Sequence, residues 1–169
     1  MRRNKNLNFA LMAVAVVFCL ISFVFEANAQ KRRRTTRKPA ATASTKPSVN
    51  SAELKEGAQK VSTQIKNVSK FVYIFGGVAK NFGTLSTDAR AKAKPAIVES
   101  IRNLQAGLAA LEEEFRTKPS LKIYAPWVDG VSGLSANAAE QANAGQMEES
   151  GNTLLMVVEK LTDALAALP

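Results

Sequence analysis

Histidine is absent from this chain of 169 residues, and cysteine occurs once, as Cys19. Cys19 lies inside an apolar N-terminal run, so removing that run leaves neither residue type. Without them there is no thiol nucleophile, no imidazole base and no Cys/His metal site. There is no disulfide either, so an exported form must be held together by its core alone. Strand-like alternation of apolar and polar residues is missing from residues 51–169, and no sheet is expected there.

Charge of one sign is also missing from most of the chain. Residues 47–169 carry 13 basic and 13 acidic side chains, so the net charge of +9 comes entirely from residues 1–46. Within the neutral part, residues 47–94 balance to +5 and residues 95–169 to −5. Complementary halves of this kind would help two helical hairpins pack, but solvated helix faces of mixed charge are the favoured account of the pattern.

The N-terminus has the three parts of an export signal in order. Arg2, Arg3 and Lys5 form a positive start, and Phe9 to Phe25 is uninterrupted apolar sequence. Ala27-Asn28-Ala29 then matches the small-x-small cleavage pattern, giving Gln30 as the new first residue. Val17-Phe18 before Cys19 are too bulky for a lipoprotein acceptor site. The flank that follows, Lys31 to Lys38, is more basic than the start, and positive charge tends to stay cytoplasmic. An uncleaved outward-facing anchor and an inverted orientation are therefore the alternatives to cleaved export.

Residues 30–50 have no apolar periodicity and contain Pro39 and Pro47. Such a segment cannot bury enough apolar surface to offset its conformational entropy and is expected to be a disordered tether. Its Lys31, Arg32, Arg33, Arg34, Arg37 and Lys38 suit an anionic membrane surface or an acidic polysaccharide. Nucleic acid is disfavoured, because no aromatic side chains are interleaved for base stacking. The plain alternative is a solvated spacer.

From Leu54 onward, apolar residues recur at three-four spacing. The first stripe runs from Leu54 through Val61, Val68 and Phe75 to Phe82. Phe71, Ile74 and Val78 widen its second half, which is expected to be the more deeply buried. Gly76-Gly77 interrupts it, suggesting a kink or a close helix contact. Gly83 suits a left-handed cap and Ser86 a new N-cap. The second stripe contains Ile97, Ile101, Leu104, Leu108, Leu111 and Phe115, with Pro95 either kinking that helix or marking its first turn. Trp127, Val131, Leu134, Ala138 and Ala142 form the third stripe, opening at Pro126. Its glycines and alanines make a narrow face that a neighbour can approach. Asn143-Ala144-Gly145 closes it, and Met147 to Leu168 carries the fourth. Four amphipathic segments joined by short breaks imply an all-α, up-down-up-down antiparallel four-helix bundle over residues 51–169.

The stretch from Trp127 to Leu161, with its Ala-Asn-Ala-Gly break, resembles in pattern the final hairpin of cytochrome c′-type haem proteins. That family's Cys-x-x-Cys-His is absent, and Leu161 to Pro169 offers no ligand. The likeness is one of architecture, and no haem is expected.

Glu112-Glu113-Glu114 and Glu148-Glu149 lack the Glu-x-x-His pairs of di-iron bundles, so no metal is expected either. Glu148 and Glu149 favour a helix N-terminal dipole, and Glu112 to Glu114 are expected to face solvent. Gly76 to Lys80 lacks the spacing of a phosphate loop. Among the aromatics, Tyr73 and Tyr124 sit beside the stripes and suit exposed contacts. With Gly76, Gly77 and Trp127 they form the candidate ligand or partner set. No catalytic residue is expected. The reading that results is an exported, non-enzymatic structural or binding module, held near an anionic surface by its tether. The alternatives are a carrier or sensor of a small apolar ligand, and an inverted, cytoplasmic-side binder of nucleic acid or lipid.

Overall fold

A computed structural model describes residues 50–169, so the segment expected to direct export, the expected cleavage residues Ala27, Ala29 and Gln30, and the basic residues 31–38 lie outside the described residues. Residues 50–169 are all-helical, with four long helices and no strand. Helix α1 spans Ser51–Phe82 and α2 spans Thr87–Thr117. A 3-10 turn, Lys122–Tyr124, leads into the one-turn helix α3, Ala125–Val128. Helices α4, Val131–Ala144, and α5, Met147–Ala167, complete the chain.

Local chemistry sets most of these boundaries. The Asn50 side chain accepts from the Ala52 N–H at 3.1 Å, and Ser86 Oγ accepts from the Ala89 N–H at 3.3 Å. Each satisfies one of the orphan donors that every helix start leaves. Gly145 ends α4 at φ 88°, a left-handed conformation that costs other residues dearly. Gly83 ends α1 in the right-handed region instead, at φ −64°, so the left-handed cap expected there is corrected. Helix α2 starts at Thr87 and continues through Pro95, which therefore does not mark its first turn. Pro95 is exposed, so the carbonyl left without its N–H partner faces water.

Helix α1 packs along α5, α2 along α4, and α4 along α5, while α1 and α2 meet less closely. The residue pairs that touch show antiparallel order. Lys60 bonds Glu114, and Gln64 lies against Gly107. Ser135 Oγ donates to the Ile101 carbonyl at 3.4 Å, and Lys94 Nζ to the Asn143 carbonyl at 2.9 Å. Ser150 Oγ donates to the Ala138 carbonyl at 2.7 Å. Hydroxyls reach the backbone of the next helix only because Ser135, Ala138, Ala139 and Ala142 keep that face thin. The close approach expected of the third stripe is thus present, although Gly133 itself meets open space.

The core runs through the middle of the assembly, where Val61, Val68, Ile101, Leu108, Leu154 and Leu161 are fully buried. The expectation that the second half of α1 is the deeper one is corrected, since Ile74 and Val78 are only half-buried. Helix lengths give the reason. At 1.5 Å per residue, α1 with 32 residues is about 48 Å long and α4 with 14 about 21 Å. Gly151, near the start of α5, sits against Phe75. Lys94 meets the end of α4. Residues around 80–92 of α1 and α2 therefore run on past the shorter pair as a two-helix tip.

Gly76 and Gly77 lie at the root of this tip. The helix is continuous through both, and a Cβ at either would meet nothing within 4 Å. The close helix contact expected of them is absent. Gly57 makes one instead: a Cβ there would stand 2.7 Å from Leu121 Cδ2.

Candidate functional site: the end where the chain enters

The end opposite the tip carries the densest set of polar contacts. The Asn50 N–H donates to Ser120 Oγ at 2.9 Å, which ties the start of α1 to the loop after α2. Pro119, which follows Lys118 at the end of α2, turns the chain, and Leu121 fills the space left by Gly57.

Two lysines and two glutamates close a ring between α1 and α2. Lys60 Nζ lies 2.9 Å from Glu56 Oε1 and 2.6 Å from Glu114 Oε2. Lys118 Nζ lies 3.0 Å from Glu56 Oε2 and also bonds Glu114. Hydrogen bonds from Lys60 and then Lys118 pull the Glu56 pKa down to about 2. Burial pushes Glu114 up, but the bonds from Lys118 and Lys60 outweigh it and its pKa falls. Burial likewise presses Lys60 down, and its bonds to Glu114 and Glu56 leave it raised.

Glu112 behaves differently from its neighbours. It is only 6% exposed, which overturns its expected solvent-facing position. Its Oε1 accepts from the Ser132 backbone N–H and its Oε2 from Ser132 Oγ, both at 2.9 Å. Gly130, the residue before α4, has no side chain to cap that helix, so a carboxylate from α2 does so. Arg116 bridges Glu112, at 3.8 Å, and Asp129. The Glu112 to Glu114 run therefore divides into a helix cap, an exposed Glu113 and a member of the ring.

The third helix also differs from its expected form. The chain breaks at Asp129-Gly130, where Gly130 takes φ 86°. This rotates the residues before the break out of register with α4. Val128 is buried instead of Trp127, which is 49% exposed and not part of the stripe. Ile123, four residues earlier, is 71% exposed, and Lys122 is exposed beside it. Tyr124 is half-buried against the core, so of the two tyrosines only Tyr73, at 86%, is openly displayed.

The candidate contact residues are not brought together. Tyr73, Gly76 and Gly77 lie on α1 near the tip, whereas Tyr124 and Trp127 lie at the other end, beside Leu121 and Gly57. The 20 residues of helix from Gly57 to Gly77 span about 30 Å.

No family model, curated protein or solved structure matches this chain. Its chemistry must be argued from its own residues. Among the described residues, no group of three His, Cys, Asp or Glu is arranged to hold a metal ion. Nor is any helix among them long and apolar enough to cross a membrane. The buried polar side chains of this end hold the fold together: Ser120 binds the start of α1 and Glu112 caps α4. Sequence reasoning missed Ile123 and the four-membered ring. Ile123 lies between Pro119 and Pro126, outside every stripe, and an apolar residue off the pattern was its one available signal. The ring joins residues more than fifty positions apart, and its local signals are the i,i+4 pairs Glu56–Lys60 and Glu114–Lys118, which do not show that the two pairs meet.

Proposed function

We propose that the protein is exported and acts without catalysis, as a helical module held at an anionic surface by its basic tether. In this reading residues 1–29 are a signal peptide, 30–50 a disordered linker and 51–169 an up-down-up-down four-helix bundle. One observation carries it: seven basic residues and no acid occupy positions 31–46, ahead of a neutral region of 123 residues. A charge excess confined to one flank is an electrostatic handle and adds nothing to the stability of the fold. Support also comes from the buried polar side chains Glu112, Ser120, Ser135 and Ser150, which are engaged in caps and cross-helix bonds.

Deleting residues 31–38 tests the proposal. Each basic residue near an anionic surface contributes about 1 kcal/mol, so losing six should abolish adsorption to anionic vesicles or to heparin. Adsorption of the intact chain should fall steeply with salt, and salt-insensitive binding would overturn the reading. Sequencing the N-terminus of the native protein in each cell fraction tests export, which requires a start at Gln30.

A further inference from the structure

We propose that the loop from Leu121 to Val128 is the face on which the helical region rests against an anionic lipid bilayer, with Ile123 and Trp127 entering the interface. This deepens the tether reading and rests on it. Of the five large apolar side chains that stand exposed among the described residues, Ile123 and Trp127 alone lie beside the point where the chain enters. The bond from Asn50 to Ser120 fixes that point, so a tether drawn to a surface delivers this loop to the same surface.

The chemistry of the loop fits lipid. Tryptophan favours the membrane interface, where its ring meets acyl chains and its N–H meets water or headgroups. Ile123 gains only by leaving water for hydrocarbon, which a polysaccharide does not offer. Lys122 precedes Ile123 directly in the loop and is exposed, placed for a headgroup phosphate. Most acids at this end oppose this little, the exception being Glu53 in the first turn of α1, whose buried Oε2 has no partner. Asp129 is paired with Arg116, and Glu56 and Glu114 are held in the lysine ring. Two inserted side chains give only marginal, reversible binding, as a single lipid chain does. The tether and the loop together make a two-signal anchor.

Trp127 is the only tryptophan, so its fluorescence reports on this loop alone. The experiment uses the chain as purified from cells, with mixed phosphatidylcholine–phosphatidylglycerol vesicles, pure phosphatidylcholine vesicles and heparin. With the anionic vesicles, Trp127 emission should shift to the blue and be quenched by brominated acyl chains. Ile123→Ser should weaken binding about fivefold. Its melting temperature should stay unchanged, because Ile123 is exposed. Sedimentation with anionic vesicles and no change in Trp127 emission would overturn this inference while leaving the tether reading intact. Binding to heparin with none to vesicles would also overturn it, and would identify the surface as polysaccharide. Binding to neither would overturn both.

Discussion

The two ends of the long α1–α2 hairpin are built on different physics. At the chain-entry end, four segments meet beside the second half of α5: the start of α1, the end of α2, the loop after it and the start of α4. Glu112, Ser120 and the Lys60–Glu114 ring tie them together. At the tip, α1 and α2 have only each other, and Phe82 with half-buried Leu85 makes up much of the apolar contact. One pair of helices therefore contains both a multiply fixed end and a thinly supported one. Local stability follows how many elements converge on a segment, and a helix can be continuous without being uniformly held.

The largest test of this contrast is a matched pair of truncations. Phe115→Ala removes a fully buried ring from the convergent end and should cost about 3–5 kcal/mol. Phe82→Ala removes the same ring from the tip, where neighbours can collapse onto the gap, and should cost less than half of that. Equal losses in chemical denaturation would break the comparison.

Next in size is the borrowed cap. Glu112→Ala leaves the Ser132 N–H and hydroxyl without their acceptor and Arg116 with Asp129 alone. The expected loss is about 1–3 kcal/mol, with faster amide exchange in the first turn of α4. Exchange unchanged at Ser132 would mean that water replaces the carboxylate without penalty.

Acid should weaken the chain-entry end before the tip. The Glu56 pKa is lowered in the folded protein from 4.5 to about 2, and that of Glu114 is lowered as well. A depressed carboxylate stabilises the folded state above its unfolded pKa. That stability is lost as pH falls from about 4.5 toward about 2. Glu56 is half-exposed, so screening limits its share to about 1 kcal/mol or less. Thermal melts across this window should show the loss, and Lys60→Ala combined with Lys118→Ala should flatten it.

The smallest effects come from glycines. Gly76→Ala meets open space on a continuous helix and should stabilise by about 0.5–1 kcal/mol. Gly57→Ala brings the same gain in helix propensity, but its methyl meets the fully buried Leu121 side chain at 2.7 Å. It should be neutral or destabilising. If both substitutions stabilised equally, the loop would be looser than its contacts imply.

Much of this architecture could be read along the chain. The stripes through Val61, Val68, Ile101, Leu108, Leu154 and Leu161 all reach the core, because a helical period encodes which face is buried. Ser86 and Gly145 act as the end signals their types suggest, since capping chemistry is local. The errors share a cause. The spacing of Trp127 suits a helix beginning at Pro126, and only the left-handed Gly130 reveals the break. Gly76-Gly77 suggests a kink or a close helix contact by residue type alone, whereas the helix is continuous there and both glycines face open space.

By itself the sequence determined the all-helical character of residues 50–169, their four amphipathic faces and the charge excess confined to residues 1–46. These are properties of residue type and spacing, and they need no knowledge of what lies opposite. The tertiary structure alone decided that α1 and α2 outrun the shorter pair. It also decided that Glu112 serves another helix and that Ile123 and Trp127 stand exposed where the chain enters. Each depends on which residues meet across tens of positions of sequence, and a partner at that distance leaves no period along the chain.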